Sequence, residues 1–405
     1  MQNRIKSQSQ LNLFLIVSGG ITLAFLIANF ITCGDTLNSA TLSASYLFGD
    51  YFSHLGYSSL GPTMYSLTED ACLPPLAYCA YYILWRMAPS IMNADVLFWE
   101  DGLRGDNTQL IFIMFNLVMI LLLQWVILHY FNAHGGKYIL ALSTIILFSY
   151  PCMFTSIQRG NSALFVAILL CIIWLWIDET DKRKREAALI LIAIAAGFKI
   201  YPALLGIVLV KRKDWKAVVR LLIYGAVFFF VPFIFFGGIE GLKNFFSTMF
   251  SIAGWSGVDH YGTVRGMSIY VLREHTALSA DAAEKAGYVI ETLFLVFTLS
   301  VFFLARKKWQ EVILTSAILV SYIGSNAHYT IVYYLPALMM FLQENESTPV
   351  FSVKKLGISL ITLSLAIIFS CPFFWPKGMY MGASVAGYFM WAVTVWMTIF
   401  HTRRE

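Results

Sequence analysis

Five residues combine a reactive side chain with an uncommon setting: Asp50, Arg159, Lys199, Arg265 and His328. Asp50 stands in Leu47-Phe48-Gly49-Asp50-Tyr51-Phe52. Its apolar flanks predict partial desolvation, which raises a carboxylate's pKa toward general-base duty. The same Asp also suits a solvated loop or a helix N-cap. Arg159, in Ile157-Gln158-Arg159-Gly160-Asn161-Ser162, offers a guanidinium fork for phosphate beside a glycine that lets backbone approach closely. The competing reading is an arginine snorkelling from a membrane interface. Lys199 interrupts an apolar run between Gly197 and Pro202, two helix breakers. A cation at membrane depth costs about 2.5–3.5 kcal/mol, so Lys199 needs a partner or a task. His328, in Ser325-Asn326-Ala327-His328-Tyr329, and Arg265, in Val264-Arg265-Gly266-Met267-Ser268, complete the set, and either also reads as an ordinary interfacial side chain. Asp35, Glu69 and Asp70 sit in turn-like surroundings.

One carboxylate with several cations suits a reaction in which a lipid phosphate departs. Preplaced cations meet the growing charge on the phosphate, and an acceptor hydroxyl attacks better beside a base. Such a step calls for no metal and no cofactor, and the chain has no obvious acidic metal cluster. Walker A, G-x-G-x-x-G opening a helix, H-E-x-x-H and G-x-S-x-G are all missing. ATP-driven transport, nucleotide redox chemistry and zinc proteolysis therefore lose their usual support. The six cysteines, at 33, 72, 79, 152, 171 and 371, form no C-x-x-C or zinc-type spacing and fall mostly in apolar runs, where they pack as small hydrophobes.

Composition decides what positions these residues. Of 405 residues, 59% are apolar and 13% charged, too few charges to cover a water-facing surface of that size. A net charge of +5, dispersed along the chain, gives no nucleic-acid footprint. The class is an all-α polytopic membrane protein. Its first apolar run, 11–32, follows Arg4 and Lys6 and is long enough to cross as an uncleaved span. Further runs are 109–130, 138–157, 161–177, 187–210, 218–238, 288–305, 310–325, 329–342, 354–372 and 380–401. Basic clusters at 182–185, 211–213, 306–308, 354–355 and 403–404 belong in the cytoplasm by the positive-inside rule.

Parity against those clusters predicts two departures from simple spans. Segment 73–92, opening with Pro74-Pro75 and carrying Arg86, would lie on the outer face as a juxtamembrane helix. Segment 187–210, with basic clusters at both ends and a broken centre, would be a re-entrant hairpin with Lys199 at its tip. About ten full spans remain, with both termini cytoplasmic. A large first outer loop at 34–108 and a second at 238–288 imply a site at the outer face. No internal repeat of the transporter kind is evident. Trp255 and Trp375 are possible sugar platforms only in the sense that any interfacial Trp is.

Several motifs together resemble a known family. Arg159-Gly160-Asn161, the span after it, and then AALILIAIAAGFKIYPALLGIVLVKRKDWK look like the central signature of glycosyltransferase family 87. Asp50 after the first span, PPLAY at 74–78 and SNAHYTIVYYLPAL at 325–338 follow in the family's order, and VRGMSIYVLRE at 264–274 faintly echoes a later stretch. The resemblance implies a GT-C fold and a likeness to polyprenol-phosphate-mannose-dependent α-mannosyltransferases. It implies inverting transfer of a hexose, mannose among the candidates, from a polyprenyl-phosphate sugar to a glycan or glycolipid acceptor. Asp50 would be the base, and His328 and Lys199 would hold the donor phosphate. Arg159 stands where the family more often shows Gly-Gln before the Asn, and a phosphate role for it and for Arg265 is an extension from their chemistry. The implied setting is a bacterial plasma membrane, with lipid and the two substrates as partners. A lipid-linked oligosaccharide flippase and a non-catalytic scaffold are the rival readings.

Overall fold

Lipid offers backbone N–H and C=O groups no partner, so apolar runs fold into helices that satisfy these groups internally. The computed structural model describes residues 9–40, 48–68, 71–87, 106–253, 262–322, 328–351, 355–370 and 380–401, and among them every regular element is helical. Glu69, Asp70, Trp255, Asp259, His260 and Trp375 lie outside the described residues, as does the side chain of His328.

Among the described residues, five helices are long and apolar enough to cross a membrane: Gln10–Ile31, Gln109–Tyr130, Trp215–Phe235, Ala280–Leu304 and Gly382–Phe400. A bent pair, Gly136–Leu147 with Tyr150–Ile157 at 44°, adds a sixth if taken as one span. Hydropathy alone predicts about ten; several of the remaining apolar runs fold as helices shorter than 18 residues. Lys308–Ser321 has only 14 residues, and every one from Trp309 to Ser321 is buried. Ala163–Trp176 is equally short, about 21 Å at 1.5 Å per residue, and is buried along almost its whole length. Trp215–Phe235 is the opposite case, with Val219, Leu222, Ile223, Phe230 and Ile234 exposed as a lipid-facing helix requires.

The chain folds into two compact units. One comprises Met1–Thr41, Gln124–Thr155 and Ser256–Glu405. The buried Gln10 side chain donates to Thr348 O (3.2 Å), Pro349 O (3.3 Å) and Ser359 Oγ (3.2 Å), and accepts from Thr362 Oγ1 (2.6 Å). The first helix is thereby tied to the Leu356–Ile368 helix.

The other unit comprises Leu42–Leu123 and Ser156–Trp255. Its core is aromatic, with Tyr51, Phe52, Tyr65, Tyr78, Phe112, Phe236 and Phe245 all buried. Pro75–Arg86, begun by a proline in its first turn, is a 12-residue helix about 18 Å long, too short to cross a bilayer core. It packs on the Gly49–Ser59 helix. The expected break in 187–210 is present. Lys182–Phe198 is helical, Lys199 turns extended, and a 3-10 turn at Tyr201–Leu205 leads into Gly206–Lys211. Arg212 bonds Asp178 at 2.7 and 3.1 Å, and Arg185 bonds Asp214 at 2.6 Å. The two arms therefore begin and end together, with Lys199 at the turn between them.

Candidate active site

Three segments of the second unit meet around Asp50. The first is the start of the Gly49–Ser59 helix. Phe48 precedes it in the left-handed region (φ 59°) and donates its N–H to Gln158 O at 2.8 Å; Asp50 N–H donates to Arg159 O at 3.0 Å. Gly160 then turns the chain at φ 70°. These backbone bonds lay the Arg159-Gly160-Asn161 turn directly against residues 48–50.

The side chains complete the pairing. Arg159 Nε donates to Asp50 Oδ2 at 3.1 Å and Nη2 to Oδ1 at 3.0 Å, a fork-to-fork salt bridge. Asn161 Nδ2 donates to Asp50 Oδ2 at 2.6 Å, while its own Oδ1 accepts from Ala163 N–H at 2.9 Å and so locks the amide at the head of the Ala163–Trp176 helix. Asp50 does not act as a helix cap. Its carboxylate is 18% exposed and the Arg159 side chain 30%, so both retain a path to a ligand. The upward pKa shift expected from desolvation is reversed. Burial does push the carboxyl up, but the charge of Arg159 and the hydrogen bonds from Arg159 and Asn161 outweigh it and hold Asp50 below the usual carboxylate range.

Behind the carboxylate, one helical turn on, lies buried His54. Burial lowers its pKa to about 3, against a smaller opposing pull from Asp50. The ring is neutral at physiological pH, and the Tyr78 hydroxyl stands 3.4 Å from its Nδ1. Tyr81, from the Pro75–Arg86 helix, is pushed upward by burial and, to a smaller degree, by the Asp50 charge, so its phenol is neutral too.

The third segment brings Lys199. It is buried, and its charge bears on His54 together with those of Asp50 and Arg159. Its position follows from a close helix contact. A Cβ on Gly197 would stand 2.6 Å from Leu76 Cδ2, so the glycine lets the Leu76 side chain pack directly on the Lys182–Phe198 helix. The GFKIYP and PPLAY stretches, which the sequence singles out separately, touch here.

Asp50, Arg159 and Lys199 thus belong to one charged cluster. Arg265 lies in the other unit, where its Nε (2.9 Å) and Nη2 (2.5 Å) both donate to Glu291 Oε2 and its guanidinium covers the Tyr288 ring at 3.9 Å. His328 opens the His328–Tyr334 turn of that unit. Two participants escape a reading of residue types alone: Asn161, whose part as a donor to Asp50 is hidden by how often Asn precedes a helix, and His54, which looks like any loop histidine. Among the described residues no three His, Cys, Asp or Glu side chains converge as metal ligands.

No curated protein matches the chain. The model of glycosyltransferase family 87 matches residues 108–325, more than half of the sequence, and covers both the Arg159-Gly160-Asn161 turn and the Lys199 hairpin. On that match this helical membrane chain belongs to glycosyltransferase family 87.

Proposed function

We propose that the protein is an inverting, polyprenyl-phosphate-sugar-dependent glycosyltransferase. It moves a hexose, mannose among the candidates, to a glycan or glycolipid acceptor at the outer face of a plasma membrane. In this reading the chain is a multi-pass protein of GT-C type with both termini cytoplasmic. The observation that carries it is the Asp50 carboxylate, held ionised by Arg159 and Asn161 beside the buried Lys199.

An ionised carboxylate is the form a general base needs. The acceptor hydroxyl gives its proton to Asp50 as its oxygen bonds to the sugar's anomeric carbon. The bond from that carbon to the phosphate oxygen breaks, the electron pair leaves with polyprenyl phosphate, and the configuration inverts. Lys199 faces the charge that grows on the departing phosphate. Arg159 serves both sides of the reaction. While it grips Asp50 the carboxylate is a weak base, and a donor phosphate drawing on the same guanidinium frees the carboxylate to accept a proton. Asn161 keeps Asp50 oriented throughout.

The test is transfer of radiolabelled hexose from synthetic polyprenyl-phosphate hexoses by the purified protein. Asp50→Asn, nearly isosteric, is expected to lose about 10²–10⁴-fold in transfer with donor affinity kept. Lys199→Met is expected to weaken donor affinity instead, by roughly ten- to a hundredfold for one charged contact. Full transfer by Asp50→Asn would remove the base assignment. A wild-type protein that transfers from no such donor, with crude membrane acceptors present, would overturn the reaction itself.

A further inference from the structure

The end of the hairpin away from Lys199 carries a second arrangement, independent of the transfer reaction. Lys182, Arg185, Lys216 and Arg220 surround a pocket of about 740 Å³, with Trp215 in its wall. Arg185 is fixed by Asp214 at 2.6 Å and Arg220 by Glu186 at 2.6 Å, and the Tyr224 hydroxyl also bonds Glu186. Lys182 and Lys216 make no ion pair among the described residues. Four cations against two carboxylates leave positive charge unspent. Along the same helices a groove of about 710 Å³ begins beside Lys199, at Gly197 and Ile200, and runs to Val210 and Val218. Val219 and Arg220, the next two residues, already belong to the basic pocket. The groove is walled by aliphatic and aromatic side chains and lies against Trp215–Phe235, the candidate span with the least of its length buried in protein.

A basic pocket beside an apolar groove on one helix pair, with the exposed Trp215 in the pocket wall, suits the head and chain of one lipid. We propose that this is a binding site for an anionic glycerophospholipid, its phosphate diester among Lys182, Lys216 and the two arginines and one acyl chain in the groove. The donor substrate does not fit this place. The 17-residue Lys182–Phe198 helix sets Lys182 about 25 Å from Lys199, so a lipid phosphate among the basic residues is not one whose sugar bond breaks beside Asp50.

Native mass spectrometry of the full-length protein tests this with phosphatidylglycerol and phosphatidylcholine of identical acyl chains. The wild type is expected to retain phosphatidylglycerol preferentially. The double variant Lys182→Gln, Lys216→Gln should weaken that retention about thirty-fold, or about 2 kcal/mol for two cations at an anionic headgroup. Gly225→Phe probes the chain. A Cβ there meets nothing within 4 Å and Gly225 lines the groove, so a ring added at this position takes up groove space, and at least a tenfold loss is expected. Lys285→Gln, on an exposed pair with Asp281 in the other unit, should change nothing. Equal retention of the two lipids, or phosphatidylglycerol binding unmoved by the lysine double variant or by Gly225→Phe, would overturn the site. So would polyprenyl phosphate displacing phosphatidylglycerol with equal strength, since the occupant would then be the donor lipid.

Discussion

Gly160 and Tyr51 approach so closely that a Cβ on Gly160 would stand 2.6 Å from the Cβ of Tyr51. The contact sits one residue from each member of the Asp50–Arg159 salt bridge, so the turn geometry and the charged pair are set together. Gly160 also holds φ 70°, a region L side chains rarely adopt. Gly160→Ala therefore adds backbone strain and a clash at once, and should destabilise the protein by about 2–4 kcal/mol. A thermal unfolding midpoint in detergent reads this directly. Should the midpoint stay put, the packing of the turn on residue 51 is looser than described.

Arg159 sets the basicity of Asp50. The largest influence on that carboxyl is burial, which raises its pKa, and it is overcome by the Arg159 and Asn161 contacts. With Arg159→Met the burial effect is left opposed only by Asn161 and more distant charges, so the Asp50 pKa should climb above its ordinary value. If Asp50 is the base, the acid limb of the transfer rate then moves upward, from below the ordinary carboxylate range to above it. Arg159→Lys should lie between, because an ammonium gives charge without the two-pronged fit. An acid limb that does not move between wild type and Arg159→Met would separate Arg159 from the base.

His54 gives stability a pH dependence of its own. Its folded pKa of about 3 lies far below the ordinary histidine value of 6.5. Between those two values the unfolded chain takes up a proton that the folded protein refuses, so stability falls as pH falls, by up to about 1.4 kcal/mol per pH unit. Asp50 acts in a lower window. Its depressed pKa adds stability above the ordinary carboxylate value of 3.8, and that stability is lost only as pH drops through the folded value beneath it. Unfolding midpoints at pH 7 and pH 5 should therefore differ by an amount worth roughly 2 kcal/mol in the wild type. His54→Gln should flatten most of that difference, and a slope that survives the substitution belongs to other groups.

Much of this was legible in the sequence, and what was not has identifiable causes. Lys199 stands out because a cation in an apolar run is costly, and the break beside it follows from Gly197 and Pro202, whose effects are local. Asp50 is equally conspicuous. Its pairing with Arg159 is not, since 109 residues separate them and nothing in either segment encodes the other. Isolated from its partner, Asp50 reads as a desolvated acid, which gives the wrong direction for its pKa. The helices Lys308–Ser321 and Ala163–Trp176 show a different limit: hydropathy marks both as apolar, but not that they are only 14 residues long and buried among other helices.

Arg265 and Glu291 form a second deeply placed ion pair, with side chains 12% and 4% exposed. Both guanidinium contacts go to Glu291 Oε2, and the arginine plane also covers Tyr288. Removing one partner leaves a buried charge uncompensated, which costs about 3–5 kcal/mol, whereas exchanging both for apolar side chains of similar volume is often close to neutral. Glu291→Gln and Arg265→Met alone should each lower the unfolding midpoint sharply, and the double variant Arg265→Met, Glu291→Met should recover most of the loss. The same variants separate a structural pair from a phosphate ligand. If Arg265 serves only Glu291, the recovered double variant binds donor with wild-type affinity. If donor affinity stays low after stability returns, Arg265 also reaches the phosphate, as its chemistry first suggests.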